Sequence, residues 1–350
     1  TFFGAREERH HTIIRSRPRF THYTISPMKT SLSKKHDFDI TVAANTYAGE
    51  LSLPYVTAAL LGAETIAKGR CRLLEGIVDK AVISGLSTAD TLQAANCAFA
   101  AGEDVTLTEQ VLTQNDLAVM EEVCRKTMFP TWIAANGRMQ RNGDLPVDWT
   151  DFLLGAVAER TGTSIENALW QGITTTFPFG FLANDGTITD AQIKLSACKD
   201  FPRHTTIAAY TAGTILAEMD AVFALASNTP GILGKPGCGF YVSYEAYAFF
   251  LQAMATQNTG PGYNQSFEGA NYLGYPVYAT SGIPNAVDVM VFTYPENLVV
   301  GVNSYTPDTS ASLIPTYLYD GSDNVRISMR FAIGVQVGVA GDGVVGFAFE

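Results

Sequence analysis

The sequence predicts an α+β protein, because its apolar residues follow the strand period in some segments and the helix period in others. Residues 105–111 alternate apolar and polar side chains, which is the two-residue period of a half-buried strand. Residues 148–171 place apolar side chains three and four positions apart, as on one face of a long helix. Residues 325–339 alternate again after DGSDN at 320–324, a strong turn sequence.

Length and composition narrow the class of protein. A chain of 350 residues, 47% hydrophobic and 16% charged, can form one large or two medium domains with a sizeable core. It contains no run of eighteen apolar residues, so we expect no membrane span. The five cysteines are scattered without a C-x-x-C pair, which favours free thiols in a reducing compartment over zinc ligands or disulfides.

Charge is concentrated at the N-terminus. Residues 1–36 carry eight basic and two acidic side chains, a net charge of +6, so the rest must carry −17 for the chain to total −11. Such a basic arm is typical of a segment that lies on acidic protein surface or near nucleic acid. A solvated tail is the alternative interpretation. The predicted contact residues in this arm are Arg15, Arg17 and Arg19.

After the arm, a helix is predicted over residues 52–68. Ser52 is a good N-cap, Pro54 is tolerated in the first turn, and Gly69 is a plausible stop. Strand-like residues follow at 77–83.

The next segment, residues 84–104, consists of small and polar side chains with no helical stripe. An irregular connection of that length is unusual inside a compact domain. We therefore predict an extended two-stranded flap, with residues 91–99 and 105–113 among its strands. An isolated hairpin is marginally stable in water, so the flap needs another surface, such as a second copy of the chain. Predicted contacts on the flap are Thr91, Phe99 and Glu109.

The returning strand is predicted to run directly into a helix. From Leu117 to Met128 the apolar positions are spaced three and four apart. Thr113 is placed to cap this helix, and Pro130 marks its end. The longer helix over residues 148–171 follows, with Asp148 as its cap.

The second half of the chain is predicted to form an α/β unit followed by a series of strands. A helical stripe from Ile215 to Phe223 precedes Pro230, and Ser243 can cap a second helix after the strand at 239–242. Further strands are predicted at 277–279, 287–293, 298–302, 318–319, 325–339 and in the final VVGFAF.

The strand after the DGSDN turn carries two arginines on its polar face. Arg326 and Arg330 alternate with apolar residues and could bind an acidic neighbouring chain. A solvated sheet face is an equally open interpretation.

Catalytic signatures are absent from the sequence. It contains no phosphate-binding G-x-x-x-x-G-K-[ST] or G-x-G-x-x-G pattern, no G-x-S-x-G and no H-E-x-x-H. Adjacent His10 and His11 lie in the arm, and His204 is isolated, so neither predicts a metal site. We therefore predict no catalytic residue, no cofactor and no metal.

The order of these elements resembles a known family. Four strings carry the resemblance: TLTEQVLTQNDLAVMEEVCRKTMFPTW (106–132), DFLLGAVAERTGTSIENALWQG (151–172), YLGYPVYATSGIP (272–284) and DGSDNVRISMRFAIGVQVGV (320–339). Together with the basic arm and the flap, they resemble the major capsid protein of tailed bacteriophages, which has the Hong Kong 97 fold. The closest resemblance is to capsid proteins of crAss-like phages that infect Bacteroidetes.

The resemblance implies a division of the chain into six parts. These are an N-terminal arm (1–45), a helix leading into the peripheral domain (46–74), an extended loop lying over a neighbouring subunit (75–113), a peripheral domain with a spine helix (114–204), an axial domain (205–303), and C-terminal strands completing the peripheral domain (304–350).

The resemblance also implies a structural function and no enzymatic one. Copies of the chain would form pentamers and hexamers that build the icosahedral head of a virion, assembled in the host cytoplasm. The shell would enclose double-stranded DNA, contacted without sequence specificity, and would meet portal, head-to-tail and decoration proteins. Two alternatives stay open: an encapsulin-type cellular compartment, which has the same fold, and a soluble hydrolase that does not assemble.

Overall fold

The computed structural model places the alternating sequences in sheets and the longest striped sequences in helices, whereas one shorter striped segment is a strand. It describes residues 45–48, 59, 62–77, 79–88, 105–124, 149–173, 180–205, 209–229, 231–257, 270–303, 310–316, 319–322 and 324–348.

The described strands, in chain order, are β1 (Asn45–Ala48), β2 (Arg72–Glu75), β3 (Lys80–Thr88), β4 (Val105–Thr113), β5 (Asn115–Cys124), β6 (Arg203–His204), β7 (Gly239–Ser243), β8 (Asn271–Tyr272), β9 (Tyr275–Thr280), β10 (Asp288–Thr293), β11 (Leu298–Asn303), β12 (Ser310–Pro315), β13 (Asn324–Val337) and β14 (Gly343–Ala348). The described α-helices are α1 (Glu64–Ala67), α2 (Trp149–Gln171), α3 (Asp190–Ile193), α4 (Ile215–Ser227) and α5 (Tyr244–Gln257). None of these helices is both long and apolar enough to cross a membrane.

The strands form two larger sheets and one thin ribbon. The first sheet has the order β1-β12-β13-β11-β2, and β5 also pairs with β13. The second sheet has the order β6-β14-β10-β7-β9-β8. Strands β3 and β4 pair only with each other among the described residues, and we call this two-stranded sheet the ribbon.

The second sheet is covered on both faces. Phe240 and Phe292 point to one side and pack against α4 and α5. Tyr241 and Val291 point to the other side, where they join a larger core that contains α2 and the inner residues of the first sheet. Because side chains alternate along a strand, the second sheet contributes to both cores.

Helix α2 is the long helix that the sequence predicts. It ends at Gln171, and Gly172 follows with a φ of +72°, a left-handed conformation that glycine adopts without strain. Helix α4 is also confirmed. The strand and the helix on either side of Ser243 are confirmed as β7 and α5. Ser243 caps α5 as predicted, because its hydroxyl accepts a hydrogen bond from the Ala246 amide at 3.2 Å.

The helix predicted from Leu117 onward is wrong, because residues 115–124 form strand β5. Ten consecutive residues of β5 pair antiparallel with β13, from Asn115 opposite Ile333 to Cys124 opposite Asn324. A short apolar run with mixed spacing fits either period, and pairing with a long neighbouring strand decides it. Residues 125–128 of the predicted helix lie outside the described residues.

One other prediction needs correction. The helix predicted over residues 52–68 is interrupted, because residues 62 and 63 form a turn before α1, although it does end before Gly69. Strand β4 of the predicted flap pairs with residues 80–88, and the other predicted flap strand, 91–99, lies outside the described residues.

Sheet membership does not follow sequence order. Strand β11, within the segment assigned to the axial domain, pairs with β13 and β2 in the first sheet. Strand β14, within the segment assigned to the peripheral domain, pairs with β10 and β6 in the second sheet. The two sheets therefore exchange strands, which joins them through the chain itself as well as through their shared core.

Gly162 lets a neighbouring segment approach α2 closely. A Cβ at Gly162 would lie 2.5 Å from the Gly62 Cα and 3.0 Å from the Ala59 carbonyl oxygen, whereas a Cβ at Gly155 meets nothing within 4 Å. We expect Gly162→Ala to lower the free energy of unfolding by about 1–3 kcal/mol through overpacking. Gly155→Ala should raise it by about 0.5–1 kcal/mol through helix propensity. Denaturant unfolding of both unassembled variants checks this contact, and two shifts of the same sign would contradict it.

Candidate assembly surfaces

The inner face of the ribbon packs on the first sheet. In the antiparallel register Ala81 lies opposite Leu112, and Ile83 lies opposite Gln110. The Leu112 side chain is fully buried and packs with Ile77 and Val299. The ribbon is therefore held to the rest of the chain near its base.

A pair of glycines forms the seat for Leu112. Gly301 and Gly334 lie directly opposite each other on β11 and β13. A Cβ at Gly301 would lie 2.6 Å from a Leu112 methyl carbon, and one at Gly334 would lie 2.4 Å from the Thr113 carbonyl oxygen. Only residues without a Cβ leave room there, so this two-glycine notch fixes where the ribbon leaves the sheet.

Replacing Leu112 should loosen the ribbon. We expect Leu112→Ala to lower the free energy of unfolding of the unassembled chain by about 2–5 kcal/mol, because it leaves a cavity in the notch. Proteolysis between residues 80 and 113 should also become faster. The matched control is Val111→Thr on the exposed side of the same strand, for which we expect a change within about 0.5 kcal/mol. Equal stability of the two variants would contradict the notch.

The outer face of the ribbon is apolar and exposed. Val82 and Val111 lie opposite each other and are 60% and 47% exposed, and Leu107 is 61% exposed. Glu109, opposite Ser84, lies between Leu107 and Val111 along the same face of β4 and is exposed. This ribbon face presents three large apolar side chains around one carboxylate, and the exposed Lys80 lies on the same face opposite Thr113.

A second exposed surface lies on the outer face of the first sheet, formed by the even-numbered residues of β5 together with Arg326, Ser328 and Arg330 of β13. Further along β13, at Gly334, the chain's own ribbon covers the same face. Met120 lies there opposite Ser328 and is 66% exposed. Arg330 lies opposite Ala118, which makes it a diagonal neighbour of Met120 on the same face. Arg330 is exposed, and it forms no ion pair with any other described residue.

Arg326 differs from Arg330 because it already has a partner in its own chain. Its Nε donates to a Glu122 carboxylate oxygen at 2.9 Å, and the Asn324 amide donates to the other oxygen at 2.6 Å. Hydrogen bonding by Arg326 holds the pKa of the Glu122 carboxyl below its usual value. Sequence reasoning left this ion pair out because it assigned Glu122 to a helix.

The predicted contact residues are thus distributed unevenly. Glu109 and Arg330 lie on the two exposed surfaces, and their role in contacts between copies stays a prediction. Sequence reasoning missed Val82 and Met120, and it treated Leu107 and Val111 as half-buried strand residues. The predicted contacts that lie outside the described residues are Arg15, Arg17, Arg19, Thr91 and Phe99.

A buried carboxylate joins α1, α2 and the end of β9. The Glu166 side chain accepts hydrogen bonds from the Thr65 amide at 2.9 Å, the Thr65 hydroxyl at 2.6 Å, the Trp170 indole N–H at 3.2 Å and the Thr280 hydroxyl. Four donors from three elements converge on one side chain that is 1% exposed. Glu166 thereby fastens the long helix to both of its neighbours.

A second carboxylate, that of Glu64, precedes Thr65 on α1. Burial alone would raise the pKa of Glu64, but hydrogen bonds from Lys68 and the Tyr244 hydroxyl outweigh it and hold that pKa below its usual value. The Arg70 guanidinium lies 5.0 Å from the centre of the Tyr278 ring and donates to the Ala279 carbonyl. These contacts join α1 to α5, and the residues after α1 to β9 of the second sheet.

Within the described ranges, no three His, Cys, Asp or Glu side chains are grouped closely enough to hold a metal ion. His204 lies on β6, where its Nε2 is 3.6 Å from a Glu218 carboxylate oxygen.

Comparison with solved structures finds capsids at low sequence identity. The capsid of a native GTA particle computed with C5 symmetry gives a TM-score of 0.52 at 13% identity, over 83% of this chain and 91% of that chain. The satellite phage P4 procapsid including size determination (Sid) protein gives 0.54 at 11%, over 90% and 95%. A structure from Microbacterium phage Oxtober96 gives 0.50 at 11%, over 89% and 95%. No family model and no curated protein matches the sequence.

The similarity covers most of each chain while sequence identity is very low, so it is a similarity of fold. The chain has the mixed α+β architecture of Hong Kong 97-like phage capsid proteins, and the predicted fold class is confirmed.

Proposed function

We propose that this protein is the major capsid protein of a tailed phage, a structural protein whose copies assemble into the icosahedral shell of the virion. The outer face of the ribbon carries this proposal. A two-stranded ribbon with large exposed apolar residues is unfavourable in an isolated chain, since each such side chain gains about 1.5–3 kcal/mol when it is fully buried. A neighbouring copy can cover that face. The Hong Kong 97-like fold of phage capsids supports this choice of partner.

In the proposed shell, contacts between copies are head-to-tail. Such contacts use two different surfaces of one chain and close into rings when the rotation allows it, here pentamers and hexamers. The second sheet with α4 and α5 would form the axial domain around each ring centre. The first sheet with α2 would form the peripheral domain, and the ribbon would reach across to the next copy. Interfaces that hold such permanent assemblies bury on the order of 2,000–5,000 Å2.

The proposal extends to other partners. The shell would enclose double-stranded DNA, and any contact between the basic arm and DNA would be electrostatic and weakened by salt. Portal, head-to-tail and decoration proteins are the expected protein partners, and assembly would take place in the host cytoplasm. The nearer resemblance to crAss-like phages of Bacteroidetes stays a prediction from sequence.

Light scattering of the purified full chain over a concentration series, followed by electron microscopy, tests the proposed function. We expect large particles to form above a threshold concentration, as rings, tubes or closed shells. A single small oligomer at every concentration and salt condition would contradict the proposal.

A further inference from the structure

We propose that the outer face of the ribbon docks on the outer face of the first sheet of a second copy, with Glu109 of one chain paired to Arg330 of the next. This inference rests on the proposed shell function and assigns the two surfaces that would meet. A head-to-tail contact requires two complementary surfaces on one chain. These two faces are complementary because each has exposed apolar side chains beside a charged side chain, Glu109 on one face and Arg330 on the other.

Each face carries charges of both signs: Lys80 lies with Glu109 on the ribbon face, and Asp116 and the Arg326–Glu122 pair lie with Arg330 on the sheet face. Glu109, between Leu107 and Val111, and Arg330, beside Met120, are the opposite charges that the contact would pair. Glu109 is exposed on the ribbon, Arg330 is exposed on β13, and neither has an ion-pair partner among the described residues. Asp116 is the other diagonal neighbour of Arg330 on the sheet, but the two side chains form no ion pair within 4.0 Å. Arg326 is already bound to Glu122, so Arg330 is the cation on this face that can receive a carboxylate from another chain.

The apolar groups match as well. Leu107, Val111 and Val82 surround Glu109 on the ribbon, and Met120 lies beside Arg330 on the sheet. Contact between the faces would cover four of the large apolar side chains that are exposed in the described part of the chain. Removing them from water supplies most of the attraction, while the ion pair sets the register.

The spacing of the groups is compatible with simultaneous contact. Alternate residues on one face of a strand are about 7 Å apart, so Leu107 and Val111 each lie that far from Glu109. Diagonal neighbours in an antiparallel pair are about 7–8 Å apart, which is the separation of Arg330 and Met120. When Glu109 reaches Arg330, either Leu107 or Val111 can therefore reach Met120.

Charge reversal tests this pairing on the full chain. We expect Glu109→Arg alone and Arg330→Glu alone each to raise the concentration at which light scattering detects assembly by at least about tenfold, because like charges then face each other. The combined variant should assemble close to the wild-type concentration. The matched control is the reversed pair Asp190→Lys with Lys194→Asp, an ion pair at α3 that lies on neither face, so this variant should assemble normally.

Mixing the two single variants distinguishes a contact between chains from one within a chain. In a mixture, the Arg at position 109 of one variant can meet the Glu at position 330 of the other, so scattering should recover at least in part. If the wild-type chain assembles, two results would overturn the pairing without affecting the proposed function. In the first, the single variants assemble as the wild type does; in the second, the combined variant is as defective as the single variants. Recovery in the combined variant without recovery in the mixture would also overturn the pairing. Failure of the wild-type chain to assemble would instead contradict the proposed function.

Discussion

The variant Val82→Thr, Leu107→Thr, Val111→Thr is expected to remain folded and to form shells only at a much higher concentration than the wild type. Threonine keeps the strand preference of the ribbon, and all three side chains already face solvent in the single chain. Their burial against a neighbouring copy is what the substitutions remove, at about 2–4 kcal/mol for each subunit. Such a loss raises the concentration required for assembly by more than about tenfold.

Light scattering and unfolding measured on the same samples check this result. The unassembled variant should unfold within about 0.5 kcal/mol of the wild type. Leu195→Thr is the matched control, since Leu195 is exposed to a similar extent but lies on the turn after α3. Assembly of the triple variant at the wild-type concentration would show that the ribbon face makes no contact between copies.

Glu166→Ala is expected to destabilise the single chain about as strongly as Leu112→Ala does. It leaves the Thr65 amide and the Trp170 indole N–H without their carboxylate acceptor in a buried site. Each unsatisfied buried donor costs about 1–3 kcal/mol, so the free energy of unfolding should fall by about 2–6 kcal/mol. The Trp170 indole also lies 3.0 Å from the Thr65 hydroxyl oxygen, an acceptor that places the loss toward the lower part of that range.

The control for this variant is Glu159→Ala, which removes a carboxylate from the exposed side of the same helix. Its effect should stay within about 0.5 kcal/mol. Denaturant unfolding of both variants, followed by tryptophan fluorescence, measures the difference. A small and equal effect for the two variants would mean that the Glu166 hydrogen bonds do not hold α2 in place.

Sequence periodicity predicts the elements whose partners lie close by or whose stripe is long. Helix α2 is predicted almost to the residue, because its apolar stripe extends over six turns and Gly172 ends it. Strand β5 is not, because its residues fit a helix equally well until ten of them pair with β13, a strand about 200 positions later in the chain. Long-range pairing of this kind leaves no mark in a local window.

The exposed surfaces can likewise be predicted only in part from the sequence. Alternation in residues 105–111 predicts a strand with one apolar face, but not that this face is turned to solvent while Leu112 is buried. The decisive feature is the pair Gly301 and Gly334, two residues on different strands whose role is visible only when they lie opposite each other. The role of Glu166 could not be predicted from the sequence either, because its hydrogen-bond donors lie about 100 positions away on either side in the chain.

Hydrogen exchange of the ribbon before and after assembly tests the central claim most directly. A ribbon with one uncovered face should exchange its β3 and β4 amides rapidly in the dilute, unassembled chain. Those amides should become strongly protected in particles, while the amides of β7 and β10 in the second sheet stay protected throughout. Ribbon amides that are equally slow to exchange in both states would show that the fold is already complete in one copy.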